Sequence, residues 1–158
     1  MAYKIGIDFH GVISAYPREF AAFCREIKLR GVQVHIISGG EKEDVASFLA
    51  RYNVEYDEIW TILDYCAEQG IQVMYDADGF HVPTDVWDKA KAFYCARERI
   101  NFHIDDSCIY GQYFVTPYCQ YNICNGHCSL DGGLEVDFTK PSQAADVIAD
   151  YIMTQTKS

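Results

Sequence analysis

The chain has 158 residues, 49% of them hydrophobic, and carries a formal charge of −10 from 13 basic against 23 acidic side chains. That size and apolar share suit a single globular domain over residues 1–158, and the acidic balance, with no lysine or arginine cluster, argues against nucleic acid as a partner. No stretch reaches the roughly 20 consecutive apolar residues that a membrane span needs, nothing near Met1 reads as a secretory leader, and seven cysteines, an odd number, favour a reducing compartment over a disulfide framework. The expectation is a cytoplasmic protein with no membrane association.

Residues 3–8 form a short Ile-rich run ending in Asp8, which predicts a buried strand that stops at a functional turn, with Gly11 letting the chain reverse. Pro17 opens an amphipathic helix to about Leu29, Gly31 stops it, and residues 32–37 predict a second strand running into Ser38-Gly39-Gly40. This is a βαβ unit, which specifies parallel strands and a right-handed crossover. Residues 41–51 and 56–70 predict helices. Residues 71–75 and 80–82 flank Asp76-Ala-Asp-Gly79, a hairpin signal. Helical periodicity returns over residues 84–99, and residues 100–104 predict a strand ending in Asp105-Asp106. In the remainder, residues 113–116 and 134–138 predict strands and residues 141–153 a final helix. Alternating strands and helices predict a three-layer α/β sandwich, Rossmann-like, with a mainly parallel sheet. Ligands bind such sheets beyond the carboxyl ends of the strands, where Asp8, Ser38 and Asp105-Asp106 fall.

Each of these strand ends alone reads as a cap or a turn. Adjacent aspartates closing an apolar strand are harder to dismiss, because their charges repel unless a cation sits beside them, and a hard divalent ion with oxygen ligands is the natural partner.

In order and spacing, four short motifs resemble the haloacid dehalogenase superfamily, most of whose members are phosphatases. Ile7-Asp8-Phe9-His10-Gly11-Val12 resembles the first motif, with His10 in place of its second aspartate; Ile36-Ile37-Ser38-Gly39-Gly40 resembles the second; Lys91, or Lys89 as the other candidate, the third; and Ile104-Asp105-Asp106-Ser107 the fourth. The resemblance implies a Mg²⁺-dependent hydrolase that cleaves a small phosphomonoester through an aspartyl-phosphate on Asp8. It also implies that Asp8, the His10 carbonyl, Asp105 and Asp106 hold the metal, that Ser38, Gly39 and Lys91 hold the phosphate, and that His10 moves protons. Carboxylates near His10 are expected to raise its pKa. The alternative is a catalytically weak or inactive module of the same fold that binds phosphate or metal, because His10 departs from the family pattern. The expected partner is a small phosphorylated metabolite. Residues 56–84 are expected to be a small insertion, at most a minimal cap, and an open site of that kind also suits a homo-oligomer.

Cys119, Cys124, His127 and Cys128 open a zinc reading, against which the adjacency of His127 and Cys128 weighs, since neighbouring side chains diverge in many backbone conformations. Tyr110, Tyr113, Tyr118 and Tyr121 follow the acidic pair and are expected to pack rather than stack on a ligand. His35 and His103 read as packed imidazoles and His81 as a surface residue.

Overall fold

The computed structural model describes residues 2–130 and 132–157. Strand β1 (Tyr3–Asp8) buries Ile5 and Ile7 completely, as a strand covered on both faces must. Helix α1 (Pro17–Leu29) follows with proline in its first turn and turns Phe20, Phe23, Cys24 and Ile27 inward. Next come β2 (Val32–Ser38), α2 (Lys42–Arg51), β3 (Glu58–Thr61), α3 (Ile62–Gln69), the short strands β4 (Met74–Asp76) and β5 (Gly79–His81), and α4 (Thr84–Arg97). Strand β6 (Phe102–Asp105) leads through a 3-10 turn at Tyr110–Tyr113 to β7 (Tyr118–Asn122), β8 (His127–Leu130), β9 (Leu134–Asp137) and α5 (Pro141–Thr156).

The central sheet has seven strands in the order β3-β2-β1-β6-β7-β8-β9. The pairings from β3 to β7 are parallel; β8 and β9 continue the sheet antiparallel. Helices cover both faces. One core joins α1, α2 and α5 to the sheet through Phe20, Phe23, Leu49 and Ile148; the other joins α3 and α4 through Trp60, Ile62, Tyr94 and Cys95. The fold is therefore a Rossmann-like α/β sandwich with a mostly parallel sheet. From β1 the chain first moves to β2 and β3 on one side, then returns to lay β6 on the other. That reversal of strand order places a topological switch point between β1 and β6. No described helix is long and apolar enough to cross a membrane.

Three expectations change. Residues 56–70 are not one helix: Glu58–Thr61 pairs with β2 (His35 opposite Glu58, Ser38 opposite Thr61), and α3 starts only afterwards. Thr61 caps that helix by accepting the Asp64 N–H while the Asp64 carboxylate accepts the Thr61 N–H, a reciprocal cap that forces the strand to end there. The expected insertion at 56–84 accordingly shrinks, since β3 belongs to the central sheet and only the β4–β5 hairpin stands apart from it. Residues 113–116 form no strand. The strand begins after Pro117, which has no N–H but whose carbonyl accepts the His103 N–H at 2.9 Å.

The zinc reading fails on strand alternation. Cys119 and Cys128 point from β7 and β8 into the core, whereas Cys124 is exposed in the turn between them and His127 is half-buried beside Glu135 and Asp137. Among the described residues, the only group of His, Cys, Asp or Glu side chains with converging ligand atoms lies elsewhere.

The first core depends on Phe20, which stacks on Phe138 with ring centroids 5.0 Å apart and planes 29° apart, and meets Tyr121 edge-on at 5.6 Å. Phe20→Ala should cost about 3–5 kcal/mol in chemical denaturation; a loss below about 1 kcal/mol would show that this aromatic cluster does not hold α1 to the β7–β9 end.

Candidate active site

The site begins where β1 ends. Asp8 is still extended, and the next residues form a tight reversal: His10 (φ −71°, ψ 129°) and Gly11 (φ 79°, ψ −4°) have the angles of a type II turn, whose second central position needs positive φ. The Ser14 N–H reaches back to the Phe9 carbonyl (2.9 Å) and the Ser14 hydroxyl accepts the Gly11 N–H (3.0 Å), which ties the reversal to the strand end. Glycine is needed at 11 twice over. A side chain there would also run into the Asp106 carboxylate.

Lys91 comes from the middle of α4, on the sheet face above β1 and β6. Its ammonium donates to Asp8 Oδ1 at 2.7 Å and to Asp105 Oδ2 at 2.9 Å, and all three side chains are at most 5% exposed. Asp105 Oδ2 also takes His103 Nε2 at 3.0 Å, and its Oδ1 accepts the Ser107 N–H at 3.1 Å. His103, itself fully buried, stacks on Phe114 with centroids 4.9 Å apart. Asp105 is thus held on both oxygens, while Asp106 stays exposed at the rim. Asp8, Asp105 and Asp106 each offer a carboxylate oxygen, all within 4.8 Å of one another.

These groups open onto a cavity of about 360 Å³ lined also by His10, Gly39, Trp87 and Tyr110. Gly39 passes under the Trp87 indole so closely that a Cβ would come 2.8 Å from it. Trp87 Nε1 donates to the Tyr110 hydroxyl, and the Tyr110 ring lies 5.2 Å from the Lys91 ammonium, within cation–π range. Ser38 is fully buried and does not line the cavity; its hydroxyl accepts the Gly40 N–H at 2.9 Å, so that N–H is already engaged.

Electrostatics follow from burial around a small number of charges. Burial pushes the Asp8 carboxyl well above the usual carboxylate range; Lys91 opposes this, while Asp105 and Asp106 add to it. Asp105 is just as deeply buried, yet the Lys91 ammonium and the His103 hydrogen bond hold it well below that range. Burial would lower Lys91, but the two carboxylates raise it, so it stays charged. Partial burial lowers His10, and the nearby Lys91 charge lowers it further against a weaker pull from Asp106. That direction is opposite to the expected one, because burial of the imidazole and then the Lys91 charge outweigh the pull of Asp106.

Of the expected site residues, Asp8, His10, Gly39, Lys91, Asp105 and Asp106 meet at one cavity, with Ser38 just beneath it. Lys89 is elsewhere, over the Tyr113 ring at 5.7 Å. His35 is a packed imidazole bonded to the Tyr94 hydroxyl at 2.7 Å, and His81 is exposed against Asp76. His103 does more than pack, since it holds Asp105. Tyr110 was expected to pack and instead walls the cavity. Trp87 carries no motif, although its place four residues before Lys91 on one helix puts both on the same face. No family model, curated protein or solved structure matches the chain.

Replacing Lys91 with methionine keeps much of the volume but strands two buried carboxylates. Lys91→Met should cost about 3–5 kcal/mol in urea denaturation at neutral pH, and adding Asp8→Asn should recover part of that loss. A double variant less stable than Lys91→Met alone would contradict the charge balance described.

Proposed function

We propose that the chain is a Mg²⁺-dependent phosphohydrolase of the haloacid dehalogenase type, cleaving a small phosphomonoester through Asp8. The observation that carries this reading is the meeting, at the sheet's switch point, of three strand-end carboxylates with a buried lysine that bonds two of them. An arrangement built only for stability would pair each buried charge. Here two buried carboxylates share one ammonium, which leaves one buried negative charge in excess, and the exposed carboxylate of Asp106 converges on the same point.

The donor set fits a hard divalent cation. Its oxygens are all carboxylate and they converge, and burial, with Asp105 and Asp106 adding to it, raises the Asp8 carboxyl against the pull of Lys91. Asp8, Asp105, Asp106 and the His10 carbonyl would hold Mg²⁺, and the chemistry such an ion supplies is neutralisation of charge on the phosphoryl oxygens.

The remaining work falls to the chain's own groups. Lys91 occupies Asp8 Oδ1, so the attack on phosphorus comes from Oδ2. As the bond to the leaving alcohol breaks, His10 in its imidazolium form gives that oxygen a proton; as imidazole it then takes a proton from the water that opens the acyl phosphate, releasing inorganic phosphate and restoring Asp8. Its lowered pKa makes the imidazolium a stronger acid and the neutral imidazole, the form that activates water, the more populated one at neutral pH. Lys91 balances charge as it spreads over the phosphoryl group, and Gly39 lets the chain approach that group closely beneath Trp87.

The test is turnover of p-nitrophenyl phosphate with Mg²⁺. Wild type should hydrolyse it, chelation should abolish turnover and added Mg²⁺ restore it, Asp8→Asn should be inactive, and His10→Ala should lose about 10²- to 10⁴-fold. Equal turnover by all three proteins would overturn the enzyme reading in favour of a silent phosphate- or metal-binding module.

A further inference from the structure

The sheet continues past the candidate active site, and its chemistry continues with it. Side chains of register partners in a sheet share a face. Asp8 follows the Ile7–Ile104 pair and so stands beside Asp105; Asp105 is opposite Gln120 on β7, and Gln120 is opposite Ser129 on β8. Asp8, Asp105, Gln120 and Ser129 therefore form one row across four adjacent strands, on the α4 face. With strands about 4.8 Å apart, Gln120 lies about 10 Å from Asp8. Helix α4 covers this face at β1 and β6, where Lys91 meets Asp8 and Asp105, and α3 packs at the β2–β3 end. Over β7 and β8 it is open, with Gln120, Asn122 and Ser129 exposed.

That open face is the floor of a second cavity, of about 720 Å³, whose wall is the segment after Asp106 with Gln112 and the Tyr118 ring. Asp106 lines both cavities, so the two meet at the metal-ligand rim. Among the described residues lining the larger one, none is Lys, Arg or His, and Asp106 is the sole charge. Nothing there would stabilise a second anion, and Asp106 would repel one.

The neutral groups present both donors and acceptors. Asn122 Oδ1 accepts the Cys124 N–H, which leaves its amide hydrogens; Gln112 gives one of its two amide hydrogens to the Ile109 carbonyl, which leaves the other and its oxygen. The Gln120 amide and Ser129 hydroxyl offer both roles. A hydroxyl group is likewise donor and acceptor at once, so a run of hydroxyls matches this surface better than a carboxylate or phosphate, which only accepts when ionised.

We propose that this groove receives the leaving group of the substrate, and that the substrate is the monophosphate of an uncharged, hydroxyl-rich group: a sugar or polyol phosphate. The assignment rests on the phosphohydrolase reading of Asp8. With the phosphoryl group at Asp8, a six-carbon chain laid along the row of strand ends reaches Gln120, two strand spacings away.

The experiment compares kcat/KM with Mg²⁺ for p-nitrophenyl phosphate, glucose 6-phosphate, sorbitol 6-phosphate, 3-phosphoglycerate, fructose 1,6-bisphosphate and adenosine monophosphate. The hexose or hexitol monophosphate should exceed the carboxylate- and phosphate-bearing substrates by about tenfold or more, and Gln120→Ala with Asn122→Ala should lower the ratio of sugar phosphate to p-nitrophenyl phosphate by about tenfold. Both substitutions are at exposed positions, and unchanged thermal melting would confirm that the variants remain folded. If p-nitrophenyl phosphate turns over without that preference, if adenosine monophosphate is the best substrate, or if the paired substitution leaves the ratio unmoved, the groove assignment is overturned and the reading of Asp8 stands. If wild type turns over no phosphomonoester, that reading falls and takes the groove assignment with it.

Discussion

A single ammonium, Lys91 Nζ, is held between Asp8 and Asp105, almost wholly withdrawn from water. Removing two carboxylates and a lysine from water is expensive, and the attraction among them repays it only with good geometry. The geometry is supplied by parts far apart in sequence: β1 brings Asp8, β6 brings Asp105, and α4 crosses above them to lower Lys91. His103 and the Ser107 N–H then fix Asp105 from the side and from beyond. The fold and the site are in this sense one construction, because the β1–β6 pairing that creates the switch point also creates the charge cluster.

What that cluster lacks is as informative as what it holds. Lysine can satisfy one oxygen of Asp8 and one of Asp105, but Asp106 lies within the same 4.8 Å group with no ammonium of its own. Burial amplifies the imbalance and raises Asp8, a carboxyl that lines the cavity. A hard cation and an electrophilic phosphoryl group would relieve it in complementary ways. The Trp87–Tyr110 pair closes one side of the cavity, and the side beyond Asp106 opens along the sheet.

Much of this was legible in the sequence because strand ends announce themselves. Apolar runs that stop at Asp8, Ser38 and Asp105-Asp106 marked the carboxyl edge of the sheet, and the alternation of elements gave its parallel character. Choosing Lys91 over Lys89 needed the helix phase, which depends on how α4 lies on the sheet rather than on local propensity. Strand β3 was hidden because Glu58-Ile-Trp-Thr61 runs into α3 with no glycine or proline between; the reciprocal Thr61–Asp64 cap was the overlooked signal. The cysteine-rich segment left a zinc reading open through spacing alone, and alternation along β7 and β8 closes it by sending two thiols into the core. The pKa of His10 depends on how far the fold buries its ring and on where Lys91 sits, which no local pattern contains.

The central claim is that Asp8 is a nucleophile and not merely a buried ion-pair partner. Its most direct test is to incubate the protein with Mg²⁺ and acetyl phosphate, quench in acid and map the digested peptides by mass spectrometry. A phosphoryl group on the peptide bearing Asp8, absent from Asp8→Asn, is the predicted result. Turnover without any phosphoryl group on that peptide, or labelling that persists in Asp8→Asn, would contradict the account.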